Sequence, residues 1–329
     1  MGEKKDSLEL YFHIPFCIKK CDYCDFLSGP ATRAGQEAYI YALLREMKAV
    51  SAIEKRTVDT VFIGGGTPSV PECGIMEKLL QGIGKNFQLA ADAEVTIEAN
   101  PGTLTPEKLA LYRRYGINRI SIGLQSPENQ ELRALGRIHN YQQFLESYHM
   151  AREAGFSNIN IDLMFAIPGQ SYEGWIQNLR TVAKLGPEHI SAYSLIIEEG
   201  TPFSARKLDL PDEDTEYRMY EDVAAVLGKY GYYQYEISNY AKKDRNCRHN
   251  EGYWQRKDYL GLGLGAASLV GRERFTNTSD MSEYLENSGN LEKIRTDRET
   301  LTREDEMGEF MFLGLRMTKG VSKKDFQEY

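Results

Sequence analysis

Apolar residues recur at two spacings along this chain, and the spacings alternate. Runs with a period of two, or unbroken apolar runs, occupy residues 11–14, 60–64, 94–99, 119–124, 158–165 and 190–197. Between them lie stretches with helical spacing, such as 35–50, 105–116 and 171–186. Several open on Ser, Thr or Pro and close on Gly, the signals that start and stop helices. Such strand–helix alternation predicts an α/β fold around a parallel sheet. Roughly six units precede residue 200, which suits a complete or partial (β/α) barrel better than a short open sheet.

Three of these strands carry polar residues on one face. Thr96 and Glu98 alternate with Val95 and Ile97. Ser121, Gly123 and Gln125 alternate with Ile120, Ile122 and Leu124, and Asn160 and Asp162 alternate with Ile159, Ile161 and Leu163. A period of two puts each polar set on one side of its strand. Closed barrels are normally filled with branched apolar side chains, so polar inner faces predict an interior left open for a ligand. Glu98 and Gln125 stand at strand C-terminal ends, where barrel enzymes keep their chemistry. Hydrated residues on exposed strand faces are the plainer alternative, although parallel strands are usually covered on both faces.

Composition narrows the classes. The 329 residues, 41% of them hydrophobic, suffice for one large barrel-type domain or two smaller ones. A formal charge of −8 argues against a nucleic-acid or anionic-membrane partner. No apolar run spans a bilayer, and the first residues have neither a signal-peptide core nor, with Asp6, the myristoylation pattern. Five cysteines, an odd and clustered set, point away from a secreted disulfide framework and towards the cytoplasm.

Three of those cysteines, Cys17, Cys21 and Cys24, fall within "HIPFCIKKCDYCDF", spaced C-x3-C-x2-C. Structural zinc sites favour paired C-x2-C motifs; Cys247 and His249 are the only distant residues offered for such a site. Iron–sulfur cubes usually take four thiolates, so three leave one iron open to a small chelating ligand. "FIGGGTPS" follows a strand and places Gly64, Gly65, Gly66 and Thr67 where backbone groups approach a ligand closely. It is no Walker loop, because Gly-Lys-Ser/Thr is missing. "GLGLGA" at 261–266 matches a dinucleotide pattern, but it comes late and follows a Tyr-rich, charged loop, outside the context that pattern requires.

These motifs, with "EANPGTL", "RISIGLQS…LRALGRIH", "NIDLMFAIPGQ" and "RHNEGYW", resemble the radical S-adenosylmethionine (SAM) superfamily. Within it the chain is similar to the oxygen-independent coproporphyrinogen III oxidase-like group and its HemW family of haem chaperones, from Tyr11 to about Gly320. The resemblance implies a partial (β/α) radical SAM barrel. It also implies a [4Fe–4S] cluster on Cys17, Cys21 and Cys24, with SAM chelating the fourth iron. By the same resemblance, SAM contacts fall to Tyr11, Tyr23, Gly65, Gly66, Thr67, Glu98, Gln125, Arg137 and Asp162. The oxidase carries a further cysteine two positions after the third, where this chain has Phe26. The haem chaperones carry H-N-x-x-Y-W, present as His249 to Trp254.

A lone histidine is commonly a hydrogen-bonded turn residue. The resemblance instead implies that His249 supplies an axial nitrogen to haem at the barrel's mouth or rim, with Tyr253 and Trp254 as walls. His13, His139, His149 and His189 are expected to be structural. The implied function is a haem-binding chaperone passing haem to an unidentified acceptor, with peripheral contact to membrane haemoproteins and oligomer formation both left open. The alternative is a radical SAM oxidase or decarboxylase acting on coproporphyrinogen III or another tetrapyrrole. The expected organisation is a barrel over 1–240, a signature loop with a barrel-closing extension over 241–300, and the start of an apparently truncated C-terminal helical domain over 301–329. In that last segment the apolar positions from Met307 to Leu315 are expected to pack on the barrel or on another chain.

Overall fold

The computed structural model describes residues 7–327; the leader and acylation readings of residues 1–6 lie outside them. Six parallel strands come first: β1 (Ser7–Ile14), β2 (Thr57–Gly65), β3 (Leu89–Ala99), β4 (Arg119–Gln125), β5 (Ile159–Phe165) and β6 (His189–Ser194). The helices between them are α1 (Arg33–Ile53), α2 (Cys73–Asn86), α3 (Pro106–Arg114), α4 (Asn129–Ala134), α5 (Tyr141–Glu153) and α6 (Tyr172–Leu185). The expected starts and stops are in place. The Thr32, Thr105 and Ser171 side chains cap α1, α3 and α6, and Gly186 ends α6 in a left-handed conformation.

The chain continues through α7 (Glu213–Gly228), β7 (Tyr233–Glu236), β8 (Asn239–Ala241), α8 (Arg248–Trp254), β9 (Tyr259–Leu262), β10 (Ala267–Val270) and β11 (Glu273–Asn277). Then come α9 (Met281–Asn287), α10 (Leu291–Ile294), β12 (Arg295–Thr300), α11 (Arg303–Gly314) and α12 (Lys323–Phe326). One sheet runs in the order β12-β11-β10-β9-β1-β2-β3-β4-β5-β6-β8-β7. β9 joins β1 in parallel, so the late segment extends the first sheet directly.

The apolar strand positions, among them Leu10, Phe12, Ile97, Ile122 and Ile161, are buried with the helix residues Leu43, Leu79, Leu109, Phe144 and Leu179. Each such side chain contributes about 1.5–3 kcal/mol on burial. The opposite face is polar and also buried: Glu9, Thr60, Glu94, Thr96, Arg119, Ser121, Asn160 and His189 are all nearly inaccessible. "GLGLGA" forms β9 and the turn into β10 with no helix after it, and a Cβ at Gly261 would stand 2.3 Å from the Ala267 carbonyl oxygen. Those glycines serve close strand packing.

α11 forms with its Thr302 capping box, but it buries its acidic side. Glu306 and Glu309 meet Arg256, Arg272 and Arg274 at 2.5–3.1 Å, while Met311, Phe312 and Leu315 stay exposed. The four contacts leave neither buried carboxylate unpaired, a state that would be strongly destabilising. After α11 the chain pairs with β7 through Glu236 and Met317, tying the end of the described chain to the far edge of the sheet.

Candidate functional site

The loop between β1 and α1 holds the three thiols, all free and partly buried. Backbone bonds fold it onto itself: Cys17 N–H donates to Gly29 O (3.0 Å) and Cys24 N–H to Cys21 O (3.2 Å). Two more tie the glycine loop to it, from Gly66 N–H to Ile14 O (2.9 Å) and from Thr67 N–H to Phe16 O (2.7 Å). Thr67 Oγ1 lies 3.5 Å from Cys17 Sγ. The Arg137 guanidinium donates to Cys21 Sγ (3.5 Å), to Asn100 Oδ1 (2.7 Å) and to Gly123 O (2.7 Å), and Asn100 Nδ2 donates to Thr67 Oγ1 (2.7 Å). The guanidinium thereby ties Cys21 to Asn100 and to the backbone of β4. Asn100, which bridges Thr67 and Arg137, was not singled out by sequence reasoning, although it lies in "EANPGTL".

Gly64 and Gly65 prove to be the last residues of β2, not a loop beyond it. Gly65 has φ +107° and donates its N–H to Glu98 Oε2 (3.2 Å). Burial, and then the charge of Asp162, pushes Glu98 up to about 8. Asp162 accepts from Ser121 Oγ (3.0 Å) and Asn160 Nδ2 (2.7 Å), and burial raises it too. Gln125, at φ 70°, accepts from Tyr193 OH (2.8 Å). Tyr23 sits beside Arg137 and the thiols, whereas Tyr11 lies midway along β1 with its ring stacked on Phe62 and its hydroxyl on His13 Nδ1 (3.1 Å). Glycines, buried carboxyls and thiols thus share the C-terminal half of one sheet face, a donor set that fits a cluster and a chelating amino-acid nucleoside.

The signature residues lie at the other end. α8 crosses the N-terminal half of the polar face and closes its floor, so the expected rim position of His249 is corrected to an interior one. The reason is local: Glu94 accepts from the first free N–H groups of α8, at Arg248 (3.2 Å) and His249 (3.2 Å). His249 is 1% exposed. Its Nδ1 bonds Thr60 Oγ1 (2.7 Å), its Nε2 bonds Tyr253 OH (2.9 Å), and its ring stacks on Phe62. Burial pushes its imidazole down to about 3, so it is neutral. Cys247 bonds Glu94 and His249 bonds Thr60 and Tyr253, at the opposite end of the sheet face from the three thiols, so neither is placed to complete a zinc site with them. His13, His139 and His189 bond carbonyl, amide or phenol oxygens, as structural histidines do.

Beside the floor is a largely apolar cavity of about 430 Å³, walled by Tyr11, Tyr253, Trp254, Tyr259, Leu269 and Phe312 and fringed by Arg256 and Arg274. Its volume falls in the range of small-molecule and cofactor sites, roughly 300–1,000 Å³. Trp254 Nε1 is buried with no hydrogen-bond partner among the described residues, a donor left for an incoming acceptor. Glu9, likewise missed by sequence reasoning, is 1% exposed, with neither carboxyl oxygen hydrogen-bonded among the described residues. His249 Nδ1 and Lys257 Nζ each lie 3.9 Å from it.

These groups set a pH dependence. Burial pushes Glu9, like Glu98, up to about 8 from 4.5, so the folded chain holds protons that the unfolded chain has released. Stability therefore falls as pH rises through that window, by roughly 1.4 kcal/mol per pH unit for each group at most. His249 acts oppositely, adding stability as pH rises between about 3 and 6.5. Above 6.5 the carboxyl effect stands alone. In cluster-free protein the urea midpoint should fall from pH 6.5 to 8, and Glu9→Gln should remove part of the fall, with Glu98 and Glu46, a buried carboxyl pushed up to about 7, carrying the rest. A midpoint that rises across that window would contradict the buried-carboxyl assignment.

The radical SAM superfamily profile matches residues 11–182, and the HemN C-terminal domain profile matches residues 301–329. The chain is 38% identical over 324 residues to the haem chaperone HemW of Bacillus subtilis, covering 97% of this chain and 86% of that protein. It is 43% identical over 269 residues to the haem chaperone HemW of Escherichia coli, covering 81% and 71%. Among solved structures, the coproporphyrinogen III oxidase HemN of Escherichia coli, a radical SAM enzyme, superposes with a TM-score of 0.88 at 25% identity, covering 99% of this chain and 80% of that one.

Proposed function

The chain belongs to the radical SAM superfamily and, within it, to the HemW family of haem chaperones, and from that premise we propose that it carries a SAM-ligated [4Fe–4S] cluster, binds haem and hands it to an acceptor haemoprotein. The observation that carries this reading is the separation of two sites on one sheet face. The thiol loop, with Glu98 and Asp162, occupies one end, and the aromatic cavity beside the signature helix occupies the other. Cys17, Cys21 and Cys24 would hold the cluster, which when bound supplies an electron to SAM. Arg137 and Thr67 steady the sulfurs. Gly65, Gly66 and Thr67 offer backbone close to the ligand, and Glu98 offers a carboxylate to ribose hydroxyls once it ionises.

Haem would occupy the aromatic cavity, with Tyr253 and Trp254 against the macrocycle and Arg274 near its carboxylates. We assign the chain to the cytoplasm, a reading supported by five free cysteines; no described helix is long and apolar enough to cross a membrane. The test is anaerobic reconstitution with iron and sulfide, then haem titration of the same sample and product analysis with coproporphyrinogen III. We expect one haem per chain, bound with or without the cluster, and no conversion of the porphyrinogen. Steady turnover to protoporphyrinogen would overturn the chaperone reading in favour of an oxidase.

A further inference from the structure

We propose that the phenol oxygen of Tyr253 takes the haem iron, and that His249 holds Tyr253 in place and does not itself bind the metal. This rests on the reading of the chain as a haem binder and deepens it. Geometry separates the two residues. Tyr253 lines the aromatic cavity, whereas His249 lies behind it, almost wholly buried. Both His249 nitrogens are engaged, at 2.7 Å to Thr60 and 2.9 Å to Tyr253. To reach iron through Nε2, His249 would have to give up its bond to Tyr253 and swing out from under the Phe62 stack at 5.2 Å. Tyr253 is already part of the cavity wall, with its hydroxyl on His249. Its ring already packs edge-on against both His249 (4.8 Å) and Tyr259 (4.7 Å).

Tyrosine is an established haem ligand, and a phenol paired with a neutral imidazole has a route for its proton. With the ring hydrogen on Nδ1, towards Thr60 and Glu9, Nε2 accepts the Tyr253 hydroxyl. As the Fe(III)–O bond forms, the O–H bond breaks and Nε2 takes the proton, while Nδ1 gives up its own towards the Glu9 carboxyl 3.9 Å away and so to solvent; the imidazole ends neutral, donating from Nε2 to the phenolate, and no electron is transferred. The phenolate offsets the ferric charge. Tyr11 forms a similar pair with His13, but at 3.1 Å.

The experiment titrates the cluster-loaded full chain with ferric haem and records affinity and resonance Raman spectra. Wild type should show phenolate–iron modes. Tyr253→Phe should abolish them and weaken binding about tenfold or more, whereas Tyr259→Phe should keep them. Loss of an orienting partner typically costs 10–100-fold in metal affinity. His249→Ala should therefore weaken binding by roughly that factor and shift the phenolate modes without removing them, and His249→Gln should recover part of the affinity. Iron content and SAM binding report whether Tyr253→Phe is folded. Tyr253→His provides a second check, since it should bind haem with an imidazole spectrum. Phenolate modes that survive in Tyr253→Phe, or an imidazole spectrum in wild type that vanishes in His249→Ala, would overturn the proposal. A wild-type chain that binds no haem at all would instead fail the underlying chaperone reading, and the proposal with it.

Discussion

Cys21→Ala protein, reconstituted anaerobically, should lose its iron–sulfur absorbance and most of its iron while still binding haem. Cys21 is the middle thiol of the three and the one that Arg137 touches, at 3.5 Å. A cube held by three thiolates already lacks one protein ligand, and removing a second leaves two, too few to hold it against loss. The haem cavity shares no residue with the thiol loop, so its affinity should change little. Iron and sulfide analysis beside haem titration measures both effects. A complete cluster in Cys21→Ala, or tight stoichiometric zinc in wild type, would end the three-thiol assignment. Iron and haem lost together in a folded variant would end the separation of the sites.

Gly66→Ala should cost both cluster and SAM, for a reason no motif spells out. A Cβ there would stand 2.8–2.9 Å from Phe16 O, Ile14 O and Phe16 N, all backbone atoms. None can rotate aside, so the loop must move and break its bond to Ile14 or the neighbouring bond from Thr67 to Phe16. Forced insertion of this kind typically costs about 1–3 kcal/mol, and a loop displaced by that strain carries Cys17 and Thr67 with it. SAM affinity by equilibrium dialysis should drop at least about tenfold, the equivalent of 1.4 kcal/mol. Gly74→Ala is the control: its Cβ meets nothing within 4 Å, and it lies in α2, where Ala is the better helix former. Unchanged SAM binding in Gly66→Ala would show that the glycine loop is remote from the nucleoside.

Much of this molecule is written locally. The six parallel strands are legible because a period of two separates apolar positions such as Val95 and Ile97 from Thr96 and Glu98, and that split survives in the folded sheet. The thiol site is legible because all three sulfurs lie on one short loop. α11 marks a limit. Its apolar positions suggest a face turned to the barrel, yet Glu306 and Glu309 are buried because Arg256, Arg272 and Arg274 come from distant parts of the chain to meet them.

The spacing of apolar residues and of cysteines was enough for the element types, the parallel strands and the grouping of the three thiols, since each depends on residues a few positions apart. The place of His249 depends on partners far along the chain: Thr60 is 189 residues away and the Glu94 carboxylate 155. Arg137 likewise meets Cys21 across 116 residues. Which side chain faces the cavity and which stands behind it is fixed by chain closure, by the capping of α8 on a buried carboxylate and by the pairing of buried charges. None of these leaves a periodic trace in the sequence.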